Sequence, residues 1–441
     1  MIRTLLINKL FGWISAITAT ASMAVLVLRY RMASGMAPRR RGDTPLRVLF
    51  VHRDLPFHGG VPRCLLYLAR ATDRERIDFR IASFREPSHR MFEAFGELGI
   101  KAHSLGDRGY ITPARTLRRI VRDEQIDVIA ATSFKAYLCA KAAARGRDVR
   151  VVFWVHAVRG PVEGPLRRRL LSVLSRYDPM IFVSKAVQRA QLPNSHRGAS
   201  KVIYNGVEDI QGHPEYQPYP IEMRSTLGLE PSDLVLAYTA EFVNWKDHST
   251  AIAAMHELAR RGVHAKLLLI GAGELINKCR EEAANGAAAA NILFLGARSD
   301  ARRIFGVVDI YIHASRGEGF GLAVVEAMLA ARPVIAARDG AMVEYISHGK
   351  TGHLFHPGDP VDLADAIMTL ANDRQRAATI GAHAREYCVN TFQIDNFADS
   401  ICEFIEQSHP VAARRRPTAA MALPVLEVSG QNNLSNAISA H

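Results

Sequence analysis

At 441 residues the chain exceeds the size at which one hydrophobic core keeps growing, so two core domains with flanking segments are expected. Its 48% apolar and 22% charged residues are those of a globular protein, and its five cysteines (Cys64, Cys139, Cys279, Cys388, Cys402) form no CxxC pair or Cys/His cluster, which argues against a zinc site or disulfide framework and fits a reducing compartment. The formal charge of +13 leaves anionic lipid, nucleic acid or a phosphorylated substrate as candidate partners.

Residues 1–45 read as an apolar segment followed by a basic linker. Leu10 to Leu28 carries no charge and is long enough to cross a bilayer, although its Ser, Thr, Ala and Gly content makes it a weak span. Arg29, Arg31 and Arg39 to Arg41 follow it, against Arg3 and Lys9 before it, so the positive-inside rule places the following domain at the cytoplasmic face of a membrane. A cleaved signal peptide would need the opposite bias. The alternative is a frayed N-terminus.

From Leu46 the pattern changes to apolar, β-branched runs alternating with helical stretches. Strands are expected at Leu46 to Val51, Ile77 to Ser83, Asp127 to Thr132, Val149 to Val155, Pro179 to Val183 and Lys201 to Tyr204, which makes 46–208 a parallel α/β domain. The Pro- and Tyr-rich stretch Asp209 to Pro220 marks the boundary. The rhythm restarts with Leu234 to Thr239, Lys266 to Ile270, Ile292 to Leu295, Asp309 to His313, Pro333 to Ala337 and His353 to Phe355, so 209–390 is a second doubly wound domain. Asp362 to Ala371, Arg374 to Val389 and Ile394 to Ser408 carry helical periodicity; the last helix (391–408) is expected to cross back to the first domain, and 409–441 reads as a disordered tail.

The segment richest in chemistry is Arg316 to Met328 (RGEGFGLAVVEAM), where a strand ends in a Gly-broken loop and a helix begins near Gly321. In open α/β sheets ligands bind beyond the carboxyl ends of the strands, and a helix N-terminus there offers free N–H groups and a positive dipole to phosphate. Glu318 precedes this helix and Glu326 lies within it, a carboxylate pair able to bracket a bound molecule. On spacing alone, two solvated glutamates would explain the pattern equally well.

With its Gly-Phe-Gly-Leu core inside E-x7-E, this segment resembles glycosyltransferase family 4, and the resemblance extends over roughly residues 46 to 407. It implies a GT-B fold, two Rossmann-like domains facing across a cleft, and transfer of a hexose-type sugar from a nucleotide-sugar with retained anomeric configuration. By the resemblance, Glu318 bonds donor-sugar hydroxyls, the N–H groups of Gly319, Phe320 and Gly321 meet sugar and phosphate with Leu322 beside them, and Glu326 accepts from ribose hydroxyls. Lys246, in AEFVNWKDH, matches the lysine that neutralises the donor diphosphate. Glu241 stands where the family has arginine, so either another cation, Arg316 or Arg338, compensates, or Glu241 turns away. Ala341 in RDGAMVE replaces one of two family glycines.

In the first domain His58-Gly59-Gly60-Val61 follows a strand and starts a helix, and Gly60 matches the family's flexible glycine loop facing the donor. His156 ends the strand VRVVFWV, at the cleft; the resemblance gives it contact with the donor sugar and a part in transfer, and a neutral imidazole can donate to a hydroxyl or move a proton near neutral pH. Val183-Ser184-Lys185 and Asn205-Gly206-Val207 also match family positions without demanding a catalytic role.

Between Gly160 and Tyr177, Arg167 to Arg169 and Arg176 alternate with Leu170, Leu171, Val173 and Leu174, which suits an anionic membrane surface as well as it suits an ordinary domain helix. With the N-terminal run, this points to a glycan or lipid-linked saccharide acceptor in cell-surface polysaccharide or glycolipid synthesis. Nucleic acid is disfavoured, since no aromatic-rich basic platform appears. No cofactor is expected, the nucleotide-sugar being the substrate, and no essential metal, because no DxD motif stands in a suitable loop. Two rivals remain: a nucleotide-sugar epimerase of the same fold, and a non-catalytic nucleotide-sugar-binding scaffold.

Overall fold

The computed structural model describes residues 44–57, 59–158, 165–209 and 217–409, without the side chains of 165–168. The apolar run Leu10 to Leu28, the Arg39 to Arg41 cluster, His58, the side chains of Arg167 and Arg168, residues 210–216 of the Pro/Tyr-rich boundary and the tail beyond His409 lie outside the described residues.

Apolar runs too short for helices pair side by side in two wholly parallel sheets. The first comprises β1 (Leu46–His52), β2 (Ile77–Ser83), β3 (Ala102–Ser104), β4 (Val128–Ala131), β5 (Arg150–Val155), β6 (Met180–Phe182) and β7 (Ser200–Val202), in the order β3-β2-β1-β4-β5-β6-β7. The second comprises β8 (Leu234–Thr239), β9 (Ala265–Ile270), β10 (Ile292–Gly296), β11 (Ile310–His313), β12 (Val334–Ala337) and β13 (His353–Phe355), in the order β10-β9-β8-β11-β12-β13. The central strands β1, β4, β8 and β11 are buried on both faces, which is why they read as continuous apolar runs rather than alternating ones. In each sheet the winding reverses beside the first strand of its half, between β1 and β4 and between β8 and β11, and each reversal opens a crevice at the carboxyl edge.

The helix Ile394–Ser408 packs on the helix Gly60–Ala71 and on β5, with Phe397 against Trp154 and Arg76 bridging Asp399 and Glu406. Its approach requires a glycine at position 206: a Cβ there would stand 2.8 Å from the Ile394 Cα and the Phe397 Cβ. The Val207 N–H donates to Phe392 O at 3.0 Å across the same junction. Sequence patterning misses β3, a three-residue edge strand that is half-buried or exposed along its length.

Candidate functional site

The loop between β11 and the helix Leu322–Leu329 is built to leave backbone N–H groups unused. Gly321, at φ 83°, turns the chain into the helix, and no described residue accepts from the N–H groups of Gly319, Phe320, Gly321, Leu322 or Ala323. The Phe320 ring points away into a cluster with Tyr345 and Phe392, and its carbonyl accepts from the Tyr345 hydroxyl at 2.5 Å.

Glu318 sits at the mouth of this loop. Its carboxylate is ion-paired with the Lys246 ammonium and lies 3.1 Å from His313 Nε2. A carboxylate only accepts, so the imidazole donates Nε2–H, leaving the Nδ1 lone pair sealed without a partner. Burial keeps His313 neutral, lowering its pKa against the opposing pull of Glu318. Burial also opposes ionisation of Glu318, but Lys246 and His313 outweigh it and hold the carboxyl well below its ordinary range.

Lys246 ends the short turn Asn244–Lys246, and its carbonyl accepts from the Tyr238 hydroxyl. The next residue, Asp247, has φ 47°, the left-handed conformation that ordinarily favours glycine. The aspartate is held there by its own side chain, which accepts from Thr250 Oγ1 at 2.8 Å and from Arg316 Nε at 2.7 Å. The Arg316 backbone N–H also donates to Trp245 O at 2.7 Å, and with its Nε on Asp247 the guanidinium stands beside the lysine turn. Glu241 is exposed and makes no ion pair among the described residues. Of the two cations considered from sequence, Arg316 therefore flanks Lys246, and the glutamate at the family's arginine position faces solvent.

The opposite wall comes within van der Waals range. A Cβ on Gly319 would stand 2.1 Å from the His156 carbonyl oxygen, so the loop meets the end of β5 only because residue 319 has no side chain. The His156 ring lies against Trp154, tilted by 42° with centroids 4.6 Å apart, and its Nε2 is sealed without a partner; burial, with His52 nearby, lowers its pKa to about 3. It is thus a neutral ring near pH 7. Gly60, starting the helix Gly60–Ala71, faces Leu322: a Cβ there would be 3.7 Å from Leu322 Cδ1. Behind Glu318, Gly340 makes the close approach, its would-be Cβ 2.3 Å from Glu318 O, while Ala341 donates its N–H to that oxygen at 2.9 Å. The alanine in place of a family glycine thus fits without strain.

Glu326 is 2% exposed and lies between two guanidiniums, Arg63 Nη1 at 3.0 Å from the first domain and Arg302 Nε at 3.1 Å. Glu208 continues the network, 2.9 Å from Arg70 and 3.9 Å from Arg302. A second cross-domain contact uses Glu344, whose carboxylate accepts from the N–H groups of Lys185 (3.0 Å) and Ala186 (2.5 Å) at the start of the helix Lys185–Gln191 and from the Tyr204 hydroxyl at 2.7 Å. Ser184 caps the same helix. The Val183-Ser184-Lys185 motif and the Tyr204 beside Asn205 thereby form one clamp between the domains. His313, Arg63, Arg302 and the clamp role of Glu344 escape sequence reasoning; a histidine inside an apolar strand end and an arginine three residues after Gly60 were the signals present.

Comparison with known proteins agrees with this geometry. Residues 58–210 match the model of "Glycosyltransferase Family 4" and residues 221–414 that of "Glycosyl transferases group 1". An N-acetyl-alpha-D-glucosaminyl L-malate synthase of Bacillus anthracis is 29% identical over 39% of this chain and 45% of its own length, so the match spans less than half of that relative. The GDP-mannose-dependent alpha-(1-6)-phosphatidylinositol monomannoside mannosyltransferase of Mycobacterium tuberculosis is 26% identical over 66% of this chain and 78% of its own. The crystal structure of Anabaena HepE in complex with UDP-glucose superposes with a TM-score of 0.72 at 25% identity, covering 82% of this chain and all of that one. The architecture is GT-B.

Replacing Lys246 by Met would strand the Glu318 carboxylate. Breaking a buried pair costs about 3–5 kcal/mol, and with side chains still 18% and 14% exposed the lower end is expected. Because the folded pKa of Glu318 is depressed, its contribution is present above the unfolded value of about 4.3 and is lost as pH falls through the folded one. The stability gap between wild type and Lys246→Met, measured by denaturant unfolding, should be largest above about pH 5 and shrink below about pH 4. A gap independent of pH would show that the pair does not hold the charge.

Proposed function

The chain belongs to glycosyltransferase family 4, and we propose that within it the protein is a retaining hexosyltransferase, moving a sugar from a nucleotide-sugar to a glycan or lipid-linked saccharide. The observation that carries this reading is Glu318, fixed by Lys246 and His313 at the mouth of a loop with free N–H groups, whose Gly319 meets the His156 carbonyl of the first domain. Lys246 and His313 both hold Oε2, which leaves Oε1 to accept from sugar hydroxyls. Lys246 and the N–H groups from Gly319 to Ala323 are placed to meet the diphosphate, whose charge grows as the nucleotide leaves. His156 is neutral, and its Nδ1, which meets no described residue and is not sealed as Nε2 is, serves as a hydrogen-bonding group to the sugar rather than as a proton carrier near pH 7.

Retention fits a front-face substitution in which the donor phosphate takes the acceptor proton. Glu326 accepts from the ribose hydroxyls by sharing or releasing Arg63, so that donor entry and domain closure are linked, and closure excludes water. The positive charge of Lys246 and the helix N-terminus takes the place of a divalent cation.

The acceptor side is proposed to work at an anionic membrane surface, at the cytoplasmic face. Val173 and Tyr177 are 58% and 65% exposed beside the exposed Arg169 and Arg176. Among the described residues no helix is long and apolar enough to cross a membrane.

Thermal unfolding with UDP-, GDP- and ADP-sugars in EDTA tests the donor reading, since a ligand at 100 times its Kd stabilises by about 2.7 kcal/mol. One donor should raise Tm, and Glu318→Ala and Lys246→Ala should abolish that rise; no response to any donor would favour a non-catalytic scaffold. For the membrane, the protein lacking residues 1–42 should sediment with vesicles containing phosphatidylglycerol and leave them at high salt. Indifference to such vesicles would remove the surface from the proposal.

A further inference from the structure

His52 ends β1, and Thr132 and His156 directly follow its neighbours β4 and β5, at the carboxyl edge that forms the first-domain wall of the cleft. His52 and Thr132 stand side by side, one step beyond the paired Val51 and Ala131. The Thr132 Oγ1 lies 3.1 Å from Val51 O and 2.7 Å from His52 Nδ1. A threonine hydroxyl has one hydrogen, and a carbonyl can only accept, so both contacts are hydrogen bonds only when that hydrogen goes to Val51, whose oxygen also accepts from the Thr132 backbone N–H at 3.0 Å. The His52 contact must then run the other way, with Nδ1–H donating to Oγ1. This assignment leaves the lone pair on Nε2, which meets no described residue and is not sealed from solvent, unlike His156 Nε2.

Resting on the transferase reading above, we propose that His52 is an acceptor-binding residue whose Nε2 lone pair takes a hydrogen bond from a hydroxyl of the incoming acceptor, and that Thr132 is the positioning residue that locks the tautomer. A lone pair selects for a ligand that brings an O–H. It repels the oxygens of a diphosphate, and it lies two strands from the point where Gly319 of the donor loop meets β5. Burial, opposed by Asp54 and assisted by Arg53, lowers the His52 pKa to about 4. So weak a base keeps its lone pair at cellular pH and orients the hydroxyl without removing its proton.

The test uses the full chain, the nucleotide-sugar that stabilises it most, and octyl glycosides of glucose, galactose, mannose and N-acetylglucosamine as acceptor probes, with a lipid extract of the producing cells as the alternative acceptor. His52→Ala should raise the acceptor KM at least tenfold, well beyond any fall in kcat, while donor-induced stabilisation stays within the wild-type range. His52→Gln, whose Oε1 restores an acceptor near Nε2, should recover part of the loss. Thr132→Val should raise KM severalfold and shift the His52 ring nitrogens toward the Nε2–H form in 15N spectra, with Thr132→Ser behaving as wild type. An unchanged KM in His52→Ala, or loss of donor stabilisation together with transfer, would overturn the proposal. Failure of every nucleotide-sugar to stabilise the wild type would instead strike the transferase reading, and the 15N spectra would still decide the His52–Thr132 tautomer.

Discussion

One carboxylate anchors the site. Glu318 is taken largely out of water, where it would protonate unless compensated, and Lys246 and the neutral His313 compensate it from two other segments of the second domain. Lys246 depends in turn on the turn after β8, and that turn on the left-handed Asp247 and its bond to Arg316. The result is an oriented anion beside unspent N–H groups, whose arrangement must exist before any ligand arrives. Such preorganisation is the form in which electrostatics lowers barriers, because no reorganisation is left for the reaction step.

The same residues tie the site to the relation between the domains. Gly319 touches the β5 end, Glu326 pairs with Arg63 on the first helix, and Glu344 caps the helix Lys185–Gln191. All three contacts run from loops or helices following strands of one sheet to those of the other. A ligand between the walls therefore competes with or completes interdomain contacts, and binding free energy can be coupled to closure. Arg63 and Arg302 around one buried carboxylate are costly to desolvate, and the Glu208 extension of the network offsets part of that cost.

Much of this was legible in the chain. Runs such as VLFV in β1 and VIAA in β12 can be buried only on both faces, so parallel sheets followed, and the Gly-broken loop before LAVVEAM marked the helix start at Leu322. Lys246 and Glu318 were named separately, but nothing in their spacing told that they would pair, since they lie 72 residues apart and meet only through the β8–β11 adjacency. His313 entered only as the end of the apolar strand Asp309 to His313, and the buried ring is marked out solely by its bond to Glu318, which no local pattern announces. Glu326 read as one wall of a ligand site, whereas its guanidinium partners come from two helices that no local pattern connects. β3 was too short and too exposed to leave a periodic signal.

The most direct test of the account is a double-mutant cycle on donor affinity, measured by calorimetric titration of the stabilising nucleotide-sugar into wild type, Lys246→Met, Glu318→Gln and the double variant. If the pair works as one unit, each single change weakens binding by about 10- to 100-fold and the double variant is little worse than the weaker single. Losses that multiply in the double variant would show that Lys246 and Glu318 act independently, and the claim that their pairing organises the site would fall.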